Sequence, residues 1–231
     1  MKEDYERINN QTLVNDNLHH ALVAFEDDNL SFVRIAVECH QILLRSMVES
    51  LKGTANLAIT GRSKDKTRTT LYKLGDGGWK KIQKTKINGC KRAWRFSEPI
   101  DILEEELHDF EKRSQKVDNF LHGFYDLLAM IQSEYFMKRY VMSKTISIND
   151  EDMKTLEWLH EKVRNEVEHF IPKIYLVDSH DLLEASMLCL EISHFLLFES
   201  GNVTIKNLLD SGKWDSLKIK IEENIHRYSG S

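Results

Sequence analysis

Apolar side chains recur every three or four residues along most of this chain, the spacing that places them on one face of an α-helix. The first such stretch runs from about Asn10 to Glu26, and the second runs from Ser31 to Leu51. Gly53 follows the second stretch, as glycine commonly follows a helix end. The pattern therefore predicts two long amphipathic helices. The apolar stripe of the second consists of Phe32, Ile35, Ala36, Cys39, Leu43, Met47 and Leu51.

The helical spacing resumes after residue 96. Ser97-Glu98-Pro99 combines a capping serine with a proline in the first turn, and it predicts a helix that carries Ile100 and Leu103 on its apolar side. The stretch from Val117 to Val141 is also periodic and predicts either one long kinked helix or two helices. Ile148-Asn149-Asp150 predicts the start of a further helix, whose acidic first turn suits the helix dipole. Its predicted core-facing residues are Met153, Leu156, Leu159, Val163, Val167 and Phe170.

Asp178-Ser179 predicts the cap of a helix that is apolar on almost every side as far as Phe198. Such a helix is expected to be central in the fold or to lie at a dimer interface. Glu184, Glu191 and His194 interrupt it, and their cost in lipid argues against a membrane span. Trp214 to His226 predicts a closing amphipathic piece.

Composition agrees with a helical protein. The 231 residues include only two prolines and ten glycines. We predict an all-α, up-and-down helical bundle, with residues 1–228 as a single domain and residues 54–97 as a basic loop or β-hairpin insertion. Ser229-Gly230-Ser231 is left outside this domain. The first seven residues have no apolar core, so no secretion signal is expected. Three widely spaced cysteines predict neither a disulfide framework nor a zinc finger and favour a reducing cytoplasm.

Positive charge is concentrated in one segment. Lys52 to Phe96 holds thirteen Lys and Arg against two Asp, a net +11, which leaves −16 for the rest of a chain whose total is −5. Aromatic residues are interleaved with these cations, a combination typical of surfaces that track a phosphate backbone and stack unpaired bases. The alternative is a solvated hairpin or loop whose positive face meets the acidic remainder or an acidic partner. The residues predicted to bind RNA are Lys64, Lys66, Arg68, Lys80, Lys81, Lys84, Lys86, Lys91, Arg92 and Arg95.

Candidate chemistry lies near the end of the predicted helix that starts at Asp150. Arg164 is followed directly by Asn165 and, five positions after the arginine, by His169. A guanidinium has a fixed fork of donors that suits a phosphate, and an imidazole exchanges protons near neutral pH. These residues are the predicted catalytic set. Arg164-Asn165-x3-His169 in an all-helical chain resembles the Rx4-6H signature of the HEPN superfamily. No metal or other cofactor is expected to take part.

Helix geometry constrains how these residues could act together. At about 100° per residue, Asn165 and His169 lie about 40° apart on an ideal helix, whereas Arg164 and His169 lie about 140° apart. Arg164 and His169 can converge if the helix is distorted ahead of Pro172, or if a second copy of the chain completes the site. The HEPN resemblance implies the second arrangement, a homodimer with a shared cleft. Without chemistry, Arg164 and Glu168 would form a surface ion pair and His169 would finish the helix.

A metal site is the competing interpretation. The spacing E-x-x-H occurs five times, at Glu105/His108, Glu157/His160, Glu166/His169, Glu191/His194 and Glu223/His226. Two such pairs on facing helices, with a glutamate from each of two others, would make a di-iron site. The spacing is also common on the polar faces of amphipathic helices. Signatures of serine hydrolases, P-loop proteins and dinucleotide-binding proteins do not occur in the sequence.

The sequence therefore predicts a metal-independent endoribonuclease of HEPN type, which leaves a 2′,3′-cyclic phosphate and a 5′-hydroxyl. The HEPN resemblance implies toxin–antitoxin or antiphage defence as the setting, with an antitoxin or other regulatory protein as partner. Some HEPN toxins carry a tyrosine two residues after the histidine as a target for modification, but here that residue is Ile171. The alternative is a non-catalytic HEPN-like module that binds nucleic acid, a nucleotide or a protein.

Overall fold

The computed structural model describes residues 9–27, 30–52, 60–61, 69–73, 79–98, 100–101, 120–121, 123–138, 140–168, 176–203 and 209–228. Within these ranges most residues are helical, and the strands all fall between residues 60 and 121. The prediction of a helical protein with a strand-containing insertion is confirmed at this level. The HEPN-like arrangement of the helices stays a prediction.

The first two helices begin and end where local signals place them. Helix α1 spans Asn10–Glu26 and α2 spans Phe32–Leu51. Asn9 caps α1 in a capping box with Thr12, and the Ser31 side chain accepts a hydrogen bond at the start of α2. The buried faces of the two helices pack together. Helix α2 also contacts later helices and is buried along most of its length, so it forms the centre of the core.

The basic insertion contains an antiparallel sheet. Strand β2 (Thr69–Lys73) pairs with β3 (Trp79–Lys86), and β3 also pairs with β4 (Trp94–Phe96). The short strand β1 (Thr60–Gly61) pairs separately with β6 (Phe120–Leu121). Ile82 of β3 is fully buried, and β4 packs against helix α3 (Phe124–Met130). Of the two forms predicted for the insertion, a loop or a β-hairpin, the described residues show paired strands.

Two predicted helices are wrong in part. Ile100–Asp101 is not the first turn of a helix but strand β5, which pairs with β3 opposite Lys80 and Lys81. Phe120–Leu121 is likewise a strand. The remainder of the predicted helix from Val117 to Val141 consists of α3 and the short α4 (Glu134–Met137), with a turn between them. Pairing with an available strand edge outweighs local helix signals here, because strand preference depends on the neighbouring strand. Residues 102–119 lie outside the described ranges.

The helix that carries the motif changes its winding. Helix α5 (Asp150–Trp158) starts at Asn149, whose side chain accepts from two backbone N–H groups. Residues Leu159–Arg164 then form a π-helical segment, and α6 (Asn165–Glu168) follows. A π turn holds an extra residue, which rotates the following side chains by about 100° relative to a continuous α-helix. Val163 is buried as predicted, but Val167 is 45 % exposed, so its predicted place in the core is wrong.

The C-terminal part closes the bundle. Helix α7 (Ser179–His194) is capped by Asp178, as predicted, and continues into a second π-helical segment, Phe195–Glu199. Helix α8 spans Ser211–Tyr228. Helix α7 packs between α2 and α8, which confirms that it is central. Among the helices described, none combines the length and the apolar character that a bilayer crossing requires.

Candidate functional site

The predicted catalytic residues are only partly described. Arg164 ends the first π-helical segment and Asn165 begins α6. Both side chains are partly buried, and Nη1 of Arg164 donates a hydrogen bond to Oδ1 of Asn165 at 2.8 Å. The amide therefore orients the guanidinium. His169 lies outside the described residues, so its distance from Arg164 stays open.

A pair of histidines lies next to this motif. His160 is four residues before Arg164 on the same π-helical segment, and its Nδ1 is 3.0 Å from Nε2 of His40 on α2. The two rings stack at a centroid distance of 5.1 Å. His40 is fully buried, whereas His160 is only partly buried. This contact joins the centre of the core to the motif helix.

Aromatic rings from α3 enclose the histidine pair. The Phe124 ring lies parallel to His160, with 4.3 Å between the ring centroids and 10° between the planes. Tyr125 meets His160 edge-on at 5.3 Å. Phe124 also contacts His40 at 4.8 Å. The two imidazoles therefore have fixed orientations in a largely apolar setting.

Electrostatics keep His40 neutral. Burial, and then the neighbouring His160 and the positive charge of Arg164, together lower the pKa of His40 to about 3. A buried imidazole resists protonation because its charged form loses hydration. Nδ1 of His40 has no hydrogen-bond partner among the described residues. His40 is therefore neutral at neutral pH.

A chain of polar contacts links this site to the basic insertion. The Tyr125 hydroxyl donates to Oε1 of Glu161 at 2.9 Å, and Nη1 of Arg92 donates to the same oxygen at 3.1 Å. Burial and the hydrogen bond to Glu161 raise the pKa of Tyr125 above its usual range. The carboxylate of Glu157 accepts from the backbone N–H groups of Lys91 and Arg92 at 3.0 and 2.7 Å. The loop before β4 is thus anchored to the motif helix.

Several of the cations predicted to bind RNA form ion pairs within the chain. Lys80 pairs with Asp101, and Arg95 pairs with Asp150 at 2.9 Å. Arg92 pairs with Glu161, as described above. These three contacts lie at exposed positions, where an ion pair contributes at most about 1 kcal/mol. They bring the basic sheet against acidic residues of the same chain. This is what the second interpretation of the basic insertion expects, in which its positive face meets the acidic remainder of the chain.

Lys84 is the most enclosed of these cations for which a side-chain exposure is known. Its Nζ lies 2.8 Å from Oδ1 of Asp126, and the side chain is 15 % exposed. The ammonium also lies 4.5 Å from the centre of the Trp94 ring. This combination of a buried carboxylate and an aromatic face gives Lys84 a structural place between the sheet and α3.

The remaining predicted RNA-binding residues divide into two groups. Lys86 and Lys91 are exposed on the described part of the insertion, and Lys81 belongs to β3, with its side chain outside the described part. Lys64, Lys66 and Arg68 lie outside the described residues. Among the described cations, the structure brings Arg92 and Arg95 against the motif helix, at Glu161 and Asp150.

The described residues do not form the metal-binding arrangement that the alternative di-iron interpretation requires. There, the His, Cys, Asp and Glu side chains close enough to hold a metal are His180, Asp181 and Glu184. This group contains no member of an E-x-x-H pair. His160 instead contacts His40, and His194 contacts Glu199 at 3.0 Å. The three cysteines are buried, and burial raises the pKa values of all three thiols.

A second surface feature is acidic. A groove of about 620 Å³ runs between α5 and α7 over an apolar floor that includes Trp158 and Met187. Burial, and then the neighbouring Glu151, raise the pKa of Asp152 in this groove. Phosphate backbones are repelled by such a surface. The carboxylates that line it are Glu151, Asp152, Asp181, Glu184 and Glu191.

Comparisons with protein-family models, with curated proteins and with solved structures give no match for this chain. The resemblance to HEPN proteins at Arg164, Asn165 and His169 therefore stays a prediction. Function has to be argued from the residues and their contacts.

The histidine pair was missed by the sequence prediction. His40 lies in the apolar stripe of α2, directly after Cys39, and His160 belongs to an E-x-x-H spacing. A histidine on an apolar face is a weak signal, because most such residues simply complete a core. Only the contact between residues 40 and 160 distinguishes this one.

Proposed function

We propose that this protein is a metal-independent endoribonuclease of HEPN type. In the proposed reaction His169 removes the proton from a ribose 2′-hydroxyl, which attacks the adjacent phosphorus. Arg164 stabilises the additional negative charge of the pentacoordinate state, and Asn165 orients Arg164. The products are a 2′,3′-cyclic phosphate and a 5′-hydroxyl.

One observation carries this assignment: Nη1 of Arg164 is held by Asn165 at the end of a π-helical segment, beside a histidine pair. π-helical insertions are uncommon and occur frequently at functional sites. A guanidinium whose position is fixed before substrate binds loses less freedom when it contacts a phosphate. Histidine and arginine next to each other are suited to moving protons and stabilising charge on a phosphodiester.

Binding of the RNA is assigned to the basic insertion. Exposed ion pairs such as Arg95 with Asp150 are weak, so a phosphate can replace the carboxylate. Affinity should then depend strongly on salt, because each phosphate contact releases counterions. The acidic groove between α5 and α7 would keep the RNA on the side of the sheet.

A homodimer in the cytoplasm completes the proposal. The sequence geometry requires either a distorted helix or a second copy to bring Arg164 and His169 together. The π-helical segment ends at Arg164, before the stretch that separates the two residues. The HEPN resemblance implies a shared cleft in a dimer, and light scattering of the purified protein measures the oligomeric state directly. Toxin–antitoxin or antiphage defence, with a regulatory partner protein, is the corresponding setting.

The test is cleavage of mixed-sequence RNA in EDTA by the wild type, R164A and H169A. The matched control is R227A, because Arg227 is an exposed arginine at the end of α8. We expect cleavage by the wild type and R227A, loss of cleavage in the other two variants, and products that end in a cyclic phosphate. A DNA oligonucleotide should stay intact, since it has no 2′-hydroxyl. Equal residual cleavage in all four proteins would contradict the assignment.

The second candidate is a non-catalytic HEPN-like module that binds a nucleic acid, a nucleotide or a protein. It is favoured by the ion pairs of Lys80, Lys84, Arg92 and Arg95, which engage four predicted RNA-binding cations with carboxylates of the same chain. A module of this type would form a dimer without cleaving RNA. The EDTA cleavage assay separates the two candidates.

A further inference from the structure

Cleavage by a 2′-hydroxyl requires two proton transfers. One group takes the proton from the attacking hydroxyl, and another supplies a proton to the 5′-oxygen as its bond to phosphorus breaks. A departing alkoxide is a poor leaving group without this second proton. The motif Arg164-Asn165-x3-His169 contributes one histidine from each chain, so a second proton-transfer group beside Arg164 on the same helix has to come from outside the motif.

His160 has the position that such a group needs. It lies four residues before Arg164, within the same π-helical segment. A π-helix turns by about 80° per residue, so residues four apart are within about 40° of each other around the axis. His160 and Arg164 therefore share a face. On an ideal α-helix, His169 lies about 140° from Arg164.

The contact with His40 fixes how the His160 ring can act. Nδ1 of His160 faces Nε2 of His40, so Nε2 of His160, on the other side of the ring, points away from that contact. When His160 is protonated it carries a proton on both nitrogens, and its Nδ1–H donates to His40. The Nε2 proton is then the one that can be transferred.

We propose that His160 is the acid that protonates the departing 5′-oxygen, and that His40 is the residue that positions it. The inference rests on the proposed ribonuclease function and adds a second proton-transfer group to it. In this step the bond from the 2′-oxygen to phosphorus forms and the bond from phosphorus to the 5′-oxygen breaks. One proton goes from the 2′-hydroxyl to His169, and one goes from His160 to the 5′-oxygen. Exchange with water returns both imidazoles to their starting states.

His40 suits the positioning role because it stays neutral. It is fully buried on α2, and its pKa is held far below neutral by burial and by the charges of His160 and Arg164. It can accept the Nδ1–H of His160 without competing for the proton. The Phe124 ring, on α3, lies parallel to the His160 ring and restrains its orientation.

The charged and titratable groups around His160 come from each element packed against it. His40 faces it from α2, and Tyr125 faces it from α3. Glu161 and Arg164 lie on its own segment, and Arg92 reaches Glu161 from the loop before β4.

The experiment compares two RNA substrates of identical sequence. One has an ordinary phosphodiester, and the other has sulfur in place of the 5′-oxygen at a single site, because a thiolate leaves without protonation. H160N is the principal variant, since the asparagine amide reaches the position of Nδ1 and lacks Nε2. We expect H160N to lose about a hundredfold to ten-thousandfold in kcat on the ordinary RNA. On the sulfur substrate it should cleave within tenfold of the wild type.

Two further variants serve as controls. R164A should be impaired on both substrates, because charge stabilisation at phosphorus is needed with either leaving group. H194N replaces a partly buried histidine that directly precedes the second π-helical segment, and it should cleave both substrates normally. H40L should lower kcat on ordinary RNA with little change in KM, and H40Q, which keeps a polar group toward His160, should recover part of it.

The outcomes separate the inference from the proposed function. If H160N is folded and cleaves ordinary RNA normally, or loses activity equally on both substrates, His160 is not the acid, although the ribonuclease stands. If the wild type cleaves neither substrate, the ribonuclease function fails, and the role of His160 fails with it. If H160N does not fold, the activities of H40L and H40Q on the two substrates test the role of His160 instead. A loss in H40L that is equal on both substrates, or is not recovered in H40Q, overturns the inference.

Discussion

Acid sensitivity of folding is the most direct physical consequence of the buried His40. The unfolded chain protonates a histidine at its ordinary pKa of 6.5, whereas the native protein keeps His40 neutral down to about pH 3. Between these values the unfolded state binds more protons, so the free energy of unfolding rises with pH. The contribution of His40 to the free energy of unfolding is constant above pH 6.5, and it is lost progressively as the pH falls from 6.5 toward 3.

The size of the effect follows from the two pKa values. One pKa unit corresponds to about 1.4 kcal/mol, so the full gap between 6.5 and about 3 amounts to roughly 5 kcal/mol. At about 1.5 pH units below the ordinary pKa, that is at pH 5, protonation of this histidine in the unfolded state lowers the free energy of unfolding by about 2 kcal/mol. This is a large fraction of the stability of an ordinary domain.

Urea denaturation at pH 7.5 and at pH 5.0 measures the effect in the wild type and in H40Q. The substitution itself changes packing, and that change enters equally at both pH values. Because the other titratable groups are common to both proteins, the difference between the two pH dependences reports residue 40 together with its contact to His160. We expect the wild type to lose about 2 kcal/mol more than H40Q on going to pH 5.0. Parallel pH dependences in the two proteins would refute a neutral, buried His40.

Three other predictions test the fold and the insertion. G201A should lower the free energy of unfolding by about 2 kcal/mol, because Gly201 has φ +75° and an added Cβ would lie 2.8 Å from a backbone oxygen. G123A is the control in thermal unfolding, since the space around its new Cβ is open. D126N should lower the free energy of unfolding by about 3 kcal/mol, measured with urea, because it leaves the enclosed Lys84 ammonium without its carboxylate. The double variant D126N/K84M should recover part of this loss. If the effects of the two substitutions are strictly additive, the pairing is contradicted. RNA affinity, measured by fluorescence anisotropy, should fall by about a thousandfold between 50 and 200 mM salt if six or more phosphates are contacted, and a flat response would contradict binding by the insertion.

The described sheet changes how the basic insertion should be understood. Its excess of positive charge is visible in the sequence, but the sequence does not show that Lys84 lies against Asp126 or that Arg95 lies against Asp150. These contacts use part of the charge to attach the sheet to the helices. A nucleic acid would therefore meet the exposed cations first and would have to compete for the paired ones.

Local signals determined the helices that the sequence predicted best. Helix α1 has the predicted bounds, and α2, α5 and α7 begin at the predicted caps, because a cap and a periodic apolar stripe depend only on residues within one or two turns. The helical class and the strand-containing basic insertion follow from the same short-range information.

Tertiary structure alone decided three other features. Ile100–Asp101 became a strand because β3 offered it a partner, and Val167 faces solvent because the π-helical segment rotates the residues that follow it. His40 and His160 are 120 positions apart in the sequence and make a single contact across the core. A pattern of short period contains no information about such pairs, since they are set by how whole helices pack. The sequence therefore determined which segments are helical, and packing determined which side chains meet.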